Sequence, residues 1–168
     1  MVVVEVATST HQLDAVRHLM RSFIAWHHQR HTQDLHLIDA YFNAAAFEEE
    51  LATLPGPYSP PSGRLLLAAL ADEPAGCVAL RRIDAESCEM KRMFVYPRFH
   101  GRGVGLALGQ RAIEHARSVG YRVMRLDTSI RQAEAQRLYA GLGFKVIPPY
   151  YDLPAELRGW LVFMELAL

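Results

Sequence analysis

Cysteine is nearly absent: Cys77 and Cys88 are the two in 168 residues. Both stand in apolar, strand-like surroundings, and two thiols make neither a disulfide framework nor a metal-ligand set. They read as small buried hydrophobes suited to a reducing, cytoplasmic setting. Long apolar runs are missing too. None approaches the ~18 residues that would cross a membrane, and Met1-Val2-Val3-Val4-Glu5 has neither the basic start nor the length of a secretion signal. Charge of one sign is not in excess, since 18 Lys and Arg balance 18 Asp and Glu. The arginines are scattered, so no broad surface for nucleic acid is expected. Repeats and low-complexity segments are absent. What remains is one α/β domain, residues 1–168, long enough to bury a core.

Hydrophobic periodicity supplies its elements. Val2 to Val6 predicts a short strand, and Thr8-Ser9-Thr10 offers caps for a helix from about Leu13 to His28. A second helix is predicted over Asp39 to Leu54, stopped by Pro55-Gly56-Pro57. Arg64 to Leu70 and Ala75 to Arg82 read as strands joined through Ala71-Asp72-Glu73-Pro74, with a third strand from Ser87 to Tyr96. A helix follows from Val104 to Val119, closed by Gly120. Then come a strand (Tyr121 to Asp127), a helix (Gln132 to Leu142), a strand from Phe144 and a closing strand over Trp160 to Leu166. The order is βααβββαβαββ.

Between the third strand and the helix at Val104 lies Arg98-Phe99-His100-Gly101-Arg102-Gly103-Val104-Gly105. A helix N-terminus offers unpaired amides and the positive end of the helix dipole, and so attracts anions. Glycines open backbone angles closed to other residues and keep side chains away from a bound phosphate. Arg98 and Arg102 add positive charge to the same mouth, and His100 faces solvent or the phosphate. Gly105 and Gly109 each weaken the helix by about 1 kcal/mol, which asks for a reason. The segment reads as a diphosphate cradle. A dinucleotide fold does not suit it, because Leu106 stands where that motif needs its third glycine and a meander of strands precedes it. The P-loop G-x-x-x-x-G-K-[ST] and the hydrolase G-x-S-x-G are both absent.

Three segments in order resemble the GNAT N-acetyltransferase superfamily. Arg98-x-x-Gly101-x-Gly103 matches its acyl-CoA loop, and Glu89 to Pro97 is similar to the strand that leads into that loop. Ala135-x-x-Leu138-Tyr139-x-x-x-Gly143-Phe144 is similar to its next signature. The close likeness covers Ser87 to Ile147, and the element order agrees over the whole chain. It implies a mixed, twisted central sheet with helices on both faces, and transfer of an acetyl group from acetyl-CoA to a primary amine by direct attack in a ternary complex. No metal is implied. The different-class alternative is a non-catalytic acyl-CoA-binding sensor that keeps the cradle without the chemistry.

The resemblance also assigns roles. Loop amides from His100 to Gly105 would take the diphosphate. Met93, Phe94 and Val95 would lie beside the pantetheine arm, with a freed N–H at Phe94 or Val95 polarising the thioester oxygen. Gln132 stands where relatives often carry an Asn that holds that arm. Tyr139 would be the general acid toward sulfur or its positioning group. Glu89 would be the general base, directly or through water, unless it is simply paired with Lys91 or Arg92. The acceptor would enter between the first two helices and the loop before the last strand, walled by Trp26, Tyr41, Tyr150 and Tyr151. Asp34, Asp39 and Asp152 could attract its ammonium group. A small amine is expected, such as an amino acid, polyamine or amino sugar, with a peptide left open. His27, His28 and His31 read as a solvated helix end, since no carboxylate completes a metal motif. The apolar run Trp160 to Phe163 would allow pairing into a homodimer or would serve as a core strand.

Overall fold

The computed structural model describes residues 1–168. Seven strands form one mixed sheet in the order β1-β2-β3-β4-β5-β7-β6. They are β1 (Val2–Val6), β2 (Arg64–Leu70), β3 (Glu73–Arg82), β4 (Ser87–Val95), β5 (Val123–Ser129), β6 (Lys145–Ile147) and β7 (Leu161–Ala167). Five α-helices cover its faces: α1 (Thr10–Arg30), α2 (Leu35–Tyr41), α3 (Ala44–Ala52), α4 (Val104–Val119) and α5 (Ala133–Gly141). Two cores of nearly equal size result, so neither face of the sheet is left to solvent. One holds Val16, Leu19, Met20, Ile38 and Leu51 from the first three helices. The other holds Leu108, Ala112 and Ile113 of α4 with Tyr139 of α5.

Local chemistry sets most boundaries. Ser9 caps α1 in a reciprocal box with Gln12, its Oγ accepting the Gln12 amide at 3.2 Å and Gln12 Oε1 accepting the Ser9 amide at 3.1 Å. The single helix predicted over Asp39 to Leu54 is two, α2 and α3. Asn43 makes the break, because its side chain accepts the Ala46 amide at 3.0 Å and starts a new helix. The β2–β3 turn is tighter than the sequence suggests. Ala71 and Asp72, at φ 53° and 64°, form a two-residue turn whose twist suits the strands, so Glu73 and Pro74 already belong to β3. The run Trp160 to Phe163 feeds β7, which lies between β5 and β6. It is a core strand rather than a free edge for pairing.

One defect in the sheet positions everything that follows. β4 and β5 are parallel, but they pair only through Ser87, Cys88 and Glu89 against Val123, Met124 and Arg125. Beyond Glu89 the two strands diverge. On its other side β4 carries a register shift against β3 between Cys77 and Ala79, and Arg92 adopts φ 59°. That irregularity bends β4 away from β5. Arg92 is held in place by both oxygens of Glu50, at 2.8 and 2.9 Å, with Phe42 and Phe47 rings beneath its guanidinium. The crevice therefore opens at the carboxyl ends of two parallel strands, where α/β sheets place their ligands.

Candidate active site

The glycine turn lies at one end of this crevice. Gly101 and Gly103 have φ 73° and 81°, and a Cβ built on either meets nothing within 4 Å. Both glycines thus serve backbone shape and leave clear space in front of the amides. No side chain caps α4, so its first-turn N–H groups remain available to an anion. Gly109 has a different reason. Its Cβ would come within 2.5 Å of Leu142, so it lets α5 approach α4 closely. Gly105 is similar, facing Leu138 at 3.2 Å.

From this turn a groove of about 430 Å³ runs along β4. Met93, Phe94, Val95, His100, Gly101, Gly103, Val104, Gly105 and Gln132 line it. The two arginines do not. Arg98 lies over the rings of Tyr96 and Phe99, each at 4.7 Å, and reaches Glu73 at 3.5 Å. His100 turns back, its Nε2 2.9 Å from the Val95 carbonyl. The β3 ladder decides which β4 amide is free. Tyr96 N–H donates to Ala75 O at 2.9 Å, and Phe94 is paired with Cys77. Alternation along the strand turns Phe94 toward β3 and Val95 toward the gap. Of the two amides expected from the sequence, Val95 is the one exposed to the crevice.

A smaller space deeper in the crevice shares Phe23, Met93 and Gln132 with the groove, and Tyr139 and Asp127 line it. Tyr139 is buried, its ring edge-on to Phe144 at 5.9 Å. Burial, helped by the Asp127 charge, holds its pKa above that of an ordinary phenol. It therefore stays protonated across the neutral range as a hydrogen-bond donor.

Toward solvent the crevice widens into a mouth lined by Tyr41, Glu89, Tyr150 and Tyr151. Glu89 is only 2% exposed. It accepts from Arg81 Nε at 2.8 Å and from the Tyr150 hydroxyl at 2.5 Å, while Lys91 Nζ stands 3.8 Å away. Its ion partners are thus Arg81 and Lys91, because Arg92 belongs to Glu50. Glu89 opens on the mouth rather than on the space beside Tyr139. Asp127, which sequence reasoning passed over as a strand end, is central here. One oxygen accepts from Tyr41, and the other from the Tyr151 hydroxyl at 2.5 Å. Only the meeting of three distant segments makes it visible.

Trp26 is placed differently from expectation. It lines the groove under the glycine turn, not the mouth, with Arg30 above its ring at 5.0 Å. Asp34 is no attractor for an ammonium group, since it is buried between Arg131 Nε at 2.8 Å and Trp160 Nε1 at 3.1 Å. Asp39 pairs with His28 at 2.7 Å. Asp152 is exposed.

The histidines are not a solvated helix end. His27 and His31 are 1% and 6% exposed, packed among Phe23, Trp26 and Phe42. Gln132 lies 3.1 Å from His27 Nε2. With Nε2 accepting from the Gln132 amide, the His27 proton sits on Nδ1, which has no partner. The contact anchors Gln132 where the groove meets the inner space. Burial is the main cause that lowers the His27 pKa to about 4. An unfolded histidine titrates near ~6.5. Stability is therefore complete above about pH 6.5 and falls as the unfolded chain takes up the proton down to about pH 4, by up to about 3 kcal/mol. His27→Gln should flatten that part of a melting-temperature profile measured between those pH values. Parallel profiles for the two proteins would show that His27 is not held neutral.

Both cysteines are buried, and burial pushes each thiol up to about 12. No group of three His, Cys, Asp or Glu side chains could hold a metal ion, and no helix is long and apolar enough to cross a membrane.

Comparison with known proteins agrees with this geometry. The model of the acetyltransferase (GNAT) family matches residues 13–144. An uncharacterised N-acetyltransferase of Schizosaccharomyces pombe is 38% identical over 109 residues, covering 64% of this chain and 67% of that protein. The N-acetylaspartate synthetase of Danio rerio is 33% identical over 117 residues, covering 67% of this chain but 42% of that protein, so this chain spans under half of its length. In structure, a Bacillus subtilis acetyltransferase in complex with CoA superimposes with a TM-score of 0.67 at 20% identity, covering 100% of this chain and 99% of that one. With its signature residues gathered around one crevice and the family matched over most of its length, the chain belongs to the GNAT acetyltransferase family.

Proposed function

We propose that this acetyltransferase moves an acetyl group from acetyl-CoA to the primary amine of a small acceptor by direct attack within a ternary complex. One observation carries the reading. The uncapped start of α4, the gap-facing Val95 amide and Tyr139 border two spaces joined through Phe23, Met93 and Gln132. The open room before Gly101 and Gly103 fits a diphosphate, and the Bacillus subtilis relative is a CoA complex. Acetyl-CoA supplies the activated acetyl group as a substrate.

The chain's own residues then have separate tasks. Amides from Gly101 to Gly105 hold the diphosphate. Gln132, steadied by His27, holds the pantetheine arm. Val95 N–H donates to the thioester oxygen as charge gathers there. The amine nitrogen bonds to the acetyl carbon, the carbon–sulfur bond breaks, and the Tyr139 hydroxyl donates a hydrogen bond to the sulfur as it leaves with the electron pair. Glu89 draws the ammonium proton away through water at the mouth. With both thiols sealed in the core, no cysteine offers a covalent route.

The test is CoA thiol release across a panel of amines, run beside calorimetric titration with acetyl-CoA. Amine-dependent release is expected. Tight acetyl-CoA binding with no release for any amine would make the protein a sensor of the acyl carrier instead.

A further inference from the structure

Lys91 has no assigned task, and its setting is unusual. It borders both the inner space beside Tyr139 and the outer mouth, as do Tyr41 and Arg92, so these three form the throat between them. Its side chain is 15% exposed. A mostly buried ammonium is costly unless an anion pairs with it. Within the chain its one ion partner, Glu89, lies beyond hydrogen-bond reach. The nearest carboxylate oxygen, Glu89 Oε1, is 3.8 Å away and already takes the Arg81 proton at 2.8 Å, while Glu89 Oε2 takes Tyr150. That separation exceeds a hydrogen bond. Arg92, the other cation of the throat, is satisfied by Glu50 at 2.8 and 2.9 Å. Desolvation lowers the Lys91 pKa even though the Asp127 and Glu89 charges act in the opposite direction. Asp127, deeper in, carries the opposite charge and faces the space where an amine must lie to reach Tyr139.

We infer that the acceptor is an amino acid, or another small amine bearing a carboxylate, with its carboxylate on Lys91 and its ammonium group directed inward toward Asp127. The inference rests on the acetyltransferase reading and narrows it, because polyamines and amino sugars carry no anion to complete Lys91. A carboxylate meeting a half-desolvated ammonium forms a charge-assisted hydrogen bond, stronger than a neutral one.

The experiment compares each of glycine, β-alanine, aspartate and glutamate with its own carboxamide as acceptor, measuring kcat/KM by thiol release at saturating acetyl-CoA. A carboxamide has the less basic and hence more readily deprotonated amine, so any preference for the acid reports recognition. The best acid should exceed its amide by about 10- to 100-fold. K91M should abolish that preference and K91R should preserve most of it, with the KM for acetyl-CoA unchanged in both. Amides used as well as acids, or a preference that survives K91M, would overturn the inference. The acid-to-amide ratio of the unaltered enzyme decides the matter even if K91M folds poorly. Calorimetry with the same acids in the presence of CoA separates the two readings. An acid that binds through Lys91 without being acetylated would sustain the carboxylate site and defeat the transferase. Acetylation of amines regardless of carboxylate would do the reverse.

Discussion

Tyr139→Phe should lower kcat by about 100-fold, at the lower end of what a positioned general acid contributes, while the KM for acetyl-CoA and the melting temperature change little. The ring carries the packing, edge-on to Phe144 at 5.9 Å, and phenylalanine keeps it. Only the hydroxyl facing the inner space is lost. The size of the effect follows from acidity. A thiol titrates near ~8.5 and an ordinary phenol near ~10, and burial raises Tyr139 further. Full proton transfer to a free thiolate is thus uphill, so the hydroxyl acts mainly while the carbon–sulfur bond is breaking. Single-turnover rates for the two proteins are the measurement. Equal rates would remove Tyr139 from the chemistry.

Gly103→Ala should weaken acetyl-CoA binding about tenfold or more, and Gly120→Ala supplies its control. Both glycines flank α4, with φ 81° and 102°, and both lack any atom within 4 Å of an added Cβ. A side chain in this left-handed region costs about 1–2 kcal/mol at either position. Melting temperature should therefore fall in both variants. The two sites differ in what lies before them, since Gly103 begins the helix and Gly120 ends it, about 26 Å away at 1.5 Å per residue. A methyl group at Gly103 stands between the amides and a diphosphate; at Gly120 it stands in water. Calorimetric affinities that fall equally in both, or in neither, would show that the α4 N-terminus does not hold the diphosphate.

Much of the fold was legible because it is written in short-range chemistry. The Ser9 box, the glycine turn, Gly120 after α4 and the order of elements all depend on residues within a turn or two of one another. Where reading failed, a distant partner outweighed a local preference. Periodicity ran straight through Asn43, whose capping bond ends the pattern it sits in. His27 and His31 look like the polar end of an amphipathic helix, yet the rings of Phe23, Trp26 and Phe42 close over them. Trp26, assigned to the acceptor side, turns into the donor groove because that flank of α1 faces β4.

The sequence alone determined that a glycine turn opens the helix after the third meander strand, and that Tyr139 follows at the spacing of a known signature. These are properties of neighbouring residues, and backbone angles carry them. Tertiary structure decided the rest. It parted β4 from β5 after Glu89, left the Val95 amide facing the gap, and joined residues 86 apart in the Tyr41–Asp127 pair and 105 apart in the Gln132–His27 contact. It also set Lys91 at the throat with its one ion partner beyond hydrogen-bond reach. No periodicity encodes such meetings, because a side chain's electrostatic surroundings are fixed by whatever the folded sheet brings within a few ångströms, not by its neighbours along the chain.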